Sequence, residues 1–158
     1  MLFRSYLTFL TKDSALASTD AGATHANLRQ ALASRNVSVL DYADAVDTNG
    51  FVVTRATADR LGLVNVSDLA NANGQLVLGG PPECPDRPFC LLGLQNVYGL
   101  QFREFRALDV GGPITVAALE GNQIDVAVLF TTDAVIQDRK STRLNSSHIQ
   151  KSRMPSSA

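Results

Sequence analysis

Between Gly79 and Gly99 the chain reads Gly-Gly-Pro-Pro-Glu-Cys-Pro-Asp-Arg-Pro-Phe-Cys-Leu-Leu-Gly-Leu-Gln-Asn-Val-Tyr-Gly. Prolines at 81, 82, 85 and 88 fix φ and lower the entropy of the segment, and the glycine pair lets neighbouring backbone come close. The chain therefore passes through a rigid loop here. Arg87 is presented in that loop between Cys84 and Cys90. A planar guanidinium held this way favours a carboxylate through two parallel hydrogen bonds, so the segment reads as a stapled anion-binding loop.

Cys84 and Cys90 are the only cysteines. A disulfide closing so small a loop stabilises by roughly 2 to 3 kcal/mol in the chain-entropy model, and it calls for an oxidising compartment. The alternative is a metal site, which two thiols would leave half empty, because His25 and His148 are neither clustered nor spaced as ligands. No metal and no cofactor is expected, and the spacing excludes a redox-active Cys-X-X-Cys.

A length of 158 residues suits one domain or a large piece of a two-domain protein, and 45% hydrophobic residues suffice for an ordinary core. The formal charge of -1 hides an asymmetry: residues 1–138 hold 9 basic against 15 acidic groups, while 139–158 hold 5 basic and none acidic. An acidic body argues against nucleic acid as a partner, since phosphate binding needs a basic stripe. The opening Met1–Leu10 stretch is apolar but short, without a basic leader or a small-residue cleavage site, and reads as neither a signal peptide nor a membrane span. The last residues, from about 138, carry much Ser, Lys and Arg and no apolar period. They are expected to be disordered, and they resemble translated adapter or vector read-through; the alternative is a natural basic tail.

Helix and strand signals alternate between these ends. Thr24 is placed to cap a helix from His25 to about Ser34, and Val37–Leu40 reads as a short strand. Phe51–Thr54 is an apolar strand, Thr54 caps a helix through Leu61, and Ser67 caps a short helix to about Asn71. Gln75–Leu78 and Phe102–Ala107 read as strands and Ile124–Leu129 as a buried one. Leu91–Tyr98 and Ile114–Leu119 read as helices closed by Gly99 and Gly121. Such alternation predicts an α/β layer structure with a largely parallel sheet, whose ligands collect where loops leave the strand ends.

Several stretches carry a family resemblance, in order along the chain: Asn49-Gly-Phe-Val-Val-Thr54, Thr57-Ala-Asp-Arg-Leu-Gly-Leu63, Gly79-Gly-Pro-Pro-Glu83, Arg87 and Gly93-Leu94. Val97-Tyr-Gly-Leu100, Phe102-Arg-Glu-Phe105, Leu108-Asp-Val-Gly-Gly-Pro113, Ile124-Asp-Val-Ala127 and Phe130-Thr-Thr-Asp133 extend it. Over roughly residues 5 to 136 the chain resembles the substrate-binding proteins of glycine betaine, carnitine and choline ABC transporters. The resemblance implies a type II periplasmic-binding-protein fold, with two α/β lobes closing over an osmolyte, that works outside the cytoplasm with a membrane permease and an ATPase. It also implies an incomplete two-lobe fold. Residues 1–45 correspond to the end of a first-lobe segment, 46–137 to most of the second lobe and 138–158 to the non-native tail, with the export signal and part of the first lobe absent.

The same resemblance nominates ligand-binding residues. Arg87 matches a carboxylate clamp; the bland alternative is a surface salt bridge with Glu83 or Asp86. A quaternary ammonium has no N–H to donate, so aromatic faces hold it, and Phe130 matches a cage tyrosine of relatives; the alternative is a core phenylalanine. Asn49 matches a further cage tyrosine and supplies polar contacts without a π face. Ser5 fits the hydroxyl-bearing end of a Glu-Tyr-Thr-Gly-like motif whose tyrosine is missing. Tyr42 and Tyr6 are candidates to compensate, or pack at a core edge. Asp47, Thr131, Thr132 and Asp133 sit at strand ends on the cleft side, with a cap or hinge hydrogen bond favoured for Asp133.

Enzymatic function is not expected. The glycine pairs lack the spacing and lysine of a phosphate loop, and neither a triad nor a defensible acid–base carboxylate pair is evident. Other readings are a small-molecule enzyme of unknown chemistry, or a regulator's ligand-sensing domain, which would need a DNA-binding helix pair upstream.

Overall fold

A computed structural model describes residues 2–13, 15–18, 20–43, 47–137 and 141–144; at 2, 3, 5, 137 and 141–143 the description covers the backbone alone. The chain divides into two compact units, Met1–Asp47 and Thr48–Ala158.

In the first unit, helices α1 (Leu2–Thr11) and α2 (Ala21–Leu32) bury Leu7, Leu28 and Leu32 together with Ala17. The cap of α2 is Asp20, whose carboxylate accepts from Ala23 N at 2.8 Å. Thr24, expected to be the cap, lies inside the first turn instead. Its hydroxyl is buried and donates to the carbonyls of Asp20 (2.8 Å) and Ser18 (3.1 Å). Val37–Leu40 forms no strand: among the described residues no ladder partner lies beside it, and Val37 and Leu40 stay exposed. The Leu40 carbonyl accepts from His25 Nε2 at 2.8 Å.

The second unit is a five-stranded sheet, with β1 Asn49–Thr54, β2 Val77–Gly80, β3 Glu104–Ala107, β4 Val126–Phe130 and β5 Ser141–Arg143 in the order β3-β2-β4-β1-β5. Strands β2, β3 and β4 are parallel, whereas β1 is antiparallel to both its neighbours, so the sheet is mixed. Side chains alternate across it. Phe51, Val53, Leu78, Val126 and Val128 pack on one face against helix α4 (Leu91–Tyr98), a 3₁₀ segment (Val66–Ala72) and the two cysteines. Val52, Val77, Ala127 and Leu129 pack on the other against α5 (Pro113–Glu120). Burying each of the Val, Leu and Phe side chains is worth on the order of 1.5 to 3 kcal/mol, which makes these two faces a large source of cohesion.

Local signals set the helix ends. Thr54 Oγ1 accepts from Thr57 N at 3.1 Å and so caps α3 (Arg55–Leu61). Pro113 sits in the first turn of α5, and Gly99, at φ 66°, closes α4. The 3₁₀ segment is capped by Asn65 and Asp68 rather than by Ser67.

The segment expected to be disordered from 138 on departs from that expectation at 141–144. Ser141, Thr142 and Arg143 pair with Thr54, Val53 and Val52. Leu144 donates its N–H to the Phe51 carbonyl at 2.9 Å, and its side chain is 1% exposed in the larger core. A polar sequence serves here because the open edge of β1 requires only backbone groups and one apolar side chain. The rest of 138–158, including His148, lies outside the described residues.

Candidate functional site

The parallel strands β2, β3 and β4 all end at one edge of the sheet, and antiparallel β1 begins there, with Asn49 opposite Phe130 and Gly80 opposite Ala107. Three segments leave this edge: 81–90, 108–112 and 131–133. In open α/β sheets the carboxyl edge is where ligands collect.

The first segment is closed on itself. Cys84 and Cys90 form a disulfide (S–S 2.03 Å), and both are fully buried in the larger core. Cys84 N donates to the Pro81 carbonyl, Arg87 N to Cys84 and Cys90 N to Arg87, at 2.9, 3.2 and 3.0 Å. A 3₁₀ turn with Pro85 in its first turn brings the chain to Arg87, and Cys90 then starts α4. Gly93 is required where the loop lies on that helix, because a Cβ there would run into the Pro88 carbonyl oxygen. The Asn49 amide donates from Nδ2 to the Phe89 carbonyl at 3.1 Å, so the loop is also tied to the start of β1.

On this fixed backbone the Arg87 side chain is half exposed. Its Nη2 lies 3.2 Å from Glu83 Oε1, the four-residue ion pair named as the bland alternative. One pairing engages one nitrogen of a group with five donors.

Phe130, at the end of β4, is half-buried. Gly111, at φ +65°, approaches so closely that a Cβ would sit 3.1 Å from its ring and 3.3 Å from Asp133 Oδ2. Asp133 accepts from Phe130 N at 2.7 Å and donates its own N–H to Phe130 O at 2.9 Å, closing a tight turn at the end of β4. Thr131 N donates to the Thr48 carbonyl (2.9 Å) and Thr131 Oγ1 accepts from Thr48 N (3.1 Å), lashing β4 to the residue before β1. Thr132 is exposed.

Arg87, Asn49, Phe130 and Thr131 thus belong to one sheet edge of the second unit. Asp47, Tyr42, Tyr6 and Ser5 belong to the first unit. Tyr42 packs edge-on against His25, with ring centroids 5.2 Å apart, and is partly exposed, as is Tyr6. Asp47 is half-buried, directly before Thr48, and the side chain of Ser5 lies outside the described residues.

Sequence reasoning missed Asp109. Its carboxylate accepts from Ile114 N (3.0 Å), Thr115 N (2.8 Å) and the Thr115 hydroxyl (2.6 Å), anchoring the 108–112 segment to the start of α5. Partial burial raises its pKa, but the hydrogen bonds from Thr115, Ile114 and Gly112 outweigh this and hold it below the ordinary aspartate value. The available signal was an aspartate shortly before Gly-Gly-Pro at a helix start. The Phe89 carbonyl had no signal, because every residue has a carbonyl.

Among the described residues no group of three or more His, Cys, Asp or Glu is placed to hold a metal ion, and no helix is long and apolar enough to cross a membrane.

The family model described as the substrate binding domain of ABC-type glycine betaine transport system matches residues 14–149. A solved structure titled as a glycine betaine/carnitine/choline ABC transporter aligns with a TM-score of 0.63 and 27% identity, covering 90% of this chain and 52% of its own. Apo YehZ from Escherichia coli aligns with a TM-score of 0.57 and 19% identity, covering 94% of this chain and 56% of its own, a likeness of fold. The chain spans about half the length of these two structures. No curated protein matches.

Proposed function

Because the chain belongs to the family of substrate-binding domains of ABC-type glycine betaine transport systems, we propose that it is part of an extracytoplasmic protein capturing quaternary ammonium osmolytes for an importer. The family consists of binding proteins rather than enzymes. The ligands are of the glycine betaine, carnitine and choline type, those bearing a carboxylate being preferred, and the partners are a membrane permease and an ATPase. The disulfide suits an oxidising compartment.

The observation that carries this reading is Arg87, a half-exposed guanidinium on a backbone closed by a disulfide, at the sheet edge shared with Phe130 and Asn49. Arg87 takes the carboxylate. Phe130 offers an aromatic face to the ammonium, worth on the order of 0.5 to 2 kcal/mol depending on desolvation. Thr131 adds a polar contact at the same edge.

Calorimetry with glycine betaine, carnitine and choline on the wild type and on Arg87→Ala in the complete protein tests the reading. Hydrogen bonds to a charged group are worth about 1.5 to 3 kcal/mol, so the two carboxylate ligands are expected to lose roughly 10- to 150-fold in affinity while choline changes little. Equal losses for all three ligands would refute the clamp. Absence of binding by the wild type would refute the ligand class.

A further inference from the structure

Asn49 stands where a residue contacting the ligand is expected from sequence, yet its side chain is engaged elsewhere. The amide Nδ2 donates to the carbonyl of Phe89, 40 positions later, inside the loop that carries Arg87. Only the amide nitrogen can donate to a carbonyl, so this partner fixes which way the Asn49 amide is turned.

We propose that Asn49 is a positioning residue, a latch that holds the Arg87 loop against the start of β1. Three observations converge on it. Closure by the Cys84–Cys90 disulfide fixes the loop's internal path and seats its two ends in the core that holds Phe51 and Val53, further along β1 than Asn49. The contact of Pro88 with Gly93 holds the loop to α4, on its own side. The bond from Asn49 to Phe89 is a side-chain hydrogen bond that ties it to the strand beside Phe130, the partner of Asn49 across the β1–β4 ladder. Asn49 is also two residues from the end of the first unit at Asp47, and Thr48 is lashed to Thr131. The latch therefore links the loop to the part of the sheet where the chain enters this unit.

A tyrosine at this position would offer an aromatic face to an ammonium and no amide to donate to Phe89. The Asn49 amide instead serves the anion loop, whose fixed bearing favours ligands that carry a carboxylate. This last step rests on the proposed function of Arg87; the latch itself does not.

The test is amide hydrogen exchange read by NMR on the full chain, for the wild type and for Asn49→Asp, which keeps the shape and loses the donor. Near neutral pH the amides of Arg87 and Cys90, bonded within the loop, are expected to lose protection roughly fivefold, the effect of one net hydrogen bond. The amides of Gly99 and Leu108, bonded to Gln95 and Gly80, are expected to stay unchanged. At about pH 3 the introduced carboxyl is largely protonated, donates to Phe89 and restores protection relative to the wild type at that pH. Unchanged loop amides, a loss shared equally by Gly99 and Leu108, or a loss that persists at the lower pH would overturn the latch. Should the variant not fold, the scalar coupling across the hydrogen bond from the Asn49 amide to the Phe89 carbonyl decides the matter in the wild type, its absence overturning the proposal. Glycine betaine titrated into the complete wild-type protein tests the ligand reading separately: an intact latch without binding removes the function and leaves the latch.

Discussion

Replacing Cys84 and Cys90 together by alanine removes two kinds of stabilisation that differ in origin. The cross-link spans a sequence separation of 6, and a loop that small constrains the unfolded chain by about 2.3 kcal/mol in the chain-entropy model. Both cysteines are also fully buried in the larger core, and losing a buried sulfur leaves a void costing on the order of 1 kcal/mol at each position. The double variant is therefore expected to lose about 4 kcal/mol, and the wild type refolded in reductant, which keeps both sulfur atoms, about 2 kcal/mol. Urea unfolding followed by far-ultraviolet circular dichroism separates the two, since the chain has no tryptophan and its tyrosines are divided between the units. The slope with urea should rise modestly when the cross-link is gone, because the unfolded chain then exposes more surface. A reduced protein as stable as the oxidised one would refute the reasoning, and so would an alanine pair no less stable than the reduced protein.

Two further perturbations address parts of the second unit that composition did not indicate. Leu144→Ala is expected to cost about 2 to 5 kcal/mol in the same urea assay, because the side chain is 1% exposed; a loss below about 1 kcal/mol would mean that β5 is not seated on β1. Asp109 titrates lower in the folded state than in the unfolded one, so its stabilisation is fully present above the ordinary aspartate pKa and is lost as pH falls through the lowered folded value. Asp109→Ala is therefore expected to cost about 0.5 to 2 kcal/mol at neutral pH and progressively less in acid, read as urea midpoints against pH; a cost independent of pH would refute the charge-based account.

The parts of the fold legible in the sequence are those whose cause is local. Phe51–Thr54 is an unbroken apolar run that pairs on both sides, and Thr54, Pro113 and Gly99 mark helix ends by their own chemistry. Thr24 is a competent cap by residue type, but its hydroxyl is buried on the Ser18 and Asp20 carbonyls, and Asp20 accepts from Ala23 N in its place. Val37–Leu40 has strand-forming residues but no partner strand among the described residues, and β propensity has little effect without one. The opposite happened at 141–144, where an unpromising sequence met an open strand edge. At the site, the loop and the residues of the sheet edge were legible as residue types. Their employment was not: Asn49 serves a carbonyl 40 residues away, and Asp109 anchors a helix start.

The Arg87–Glu83 pair is best weighed by magnitude. With both side chains more than 40% exposed, it is worth about 0 to 1 kcal/mol, since solvent screens it and two long side chains are ordered to form it. A ligand carboxylate received where water is excluded makes charge-assisted bonds of about 1.5 to 3 kcal/mol. The exchange of Glu83 for a ligand is therefore downhill on the proposed reading, and Glu83 acts as a resting partner rather than a competitor. The backbone contribution is of another kind: disulfide, prolines and the Asn49 bond order the loop during folding, so little loop entropy remains to be lost when the ligand arrives. Rigidity in the main chain and freedom in one side chain are what a site needs if it must both capture and release a carboxylate-bearing ligand.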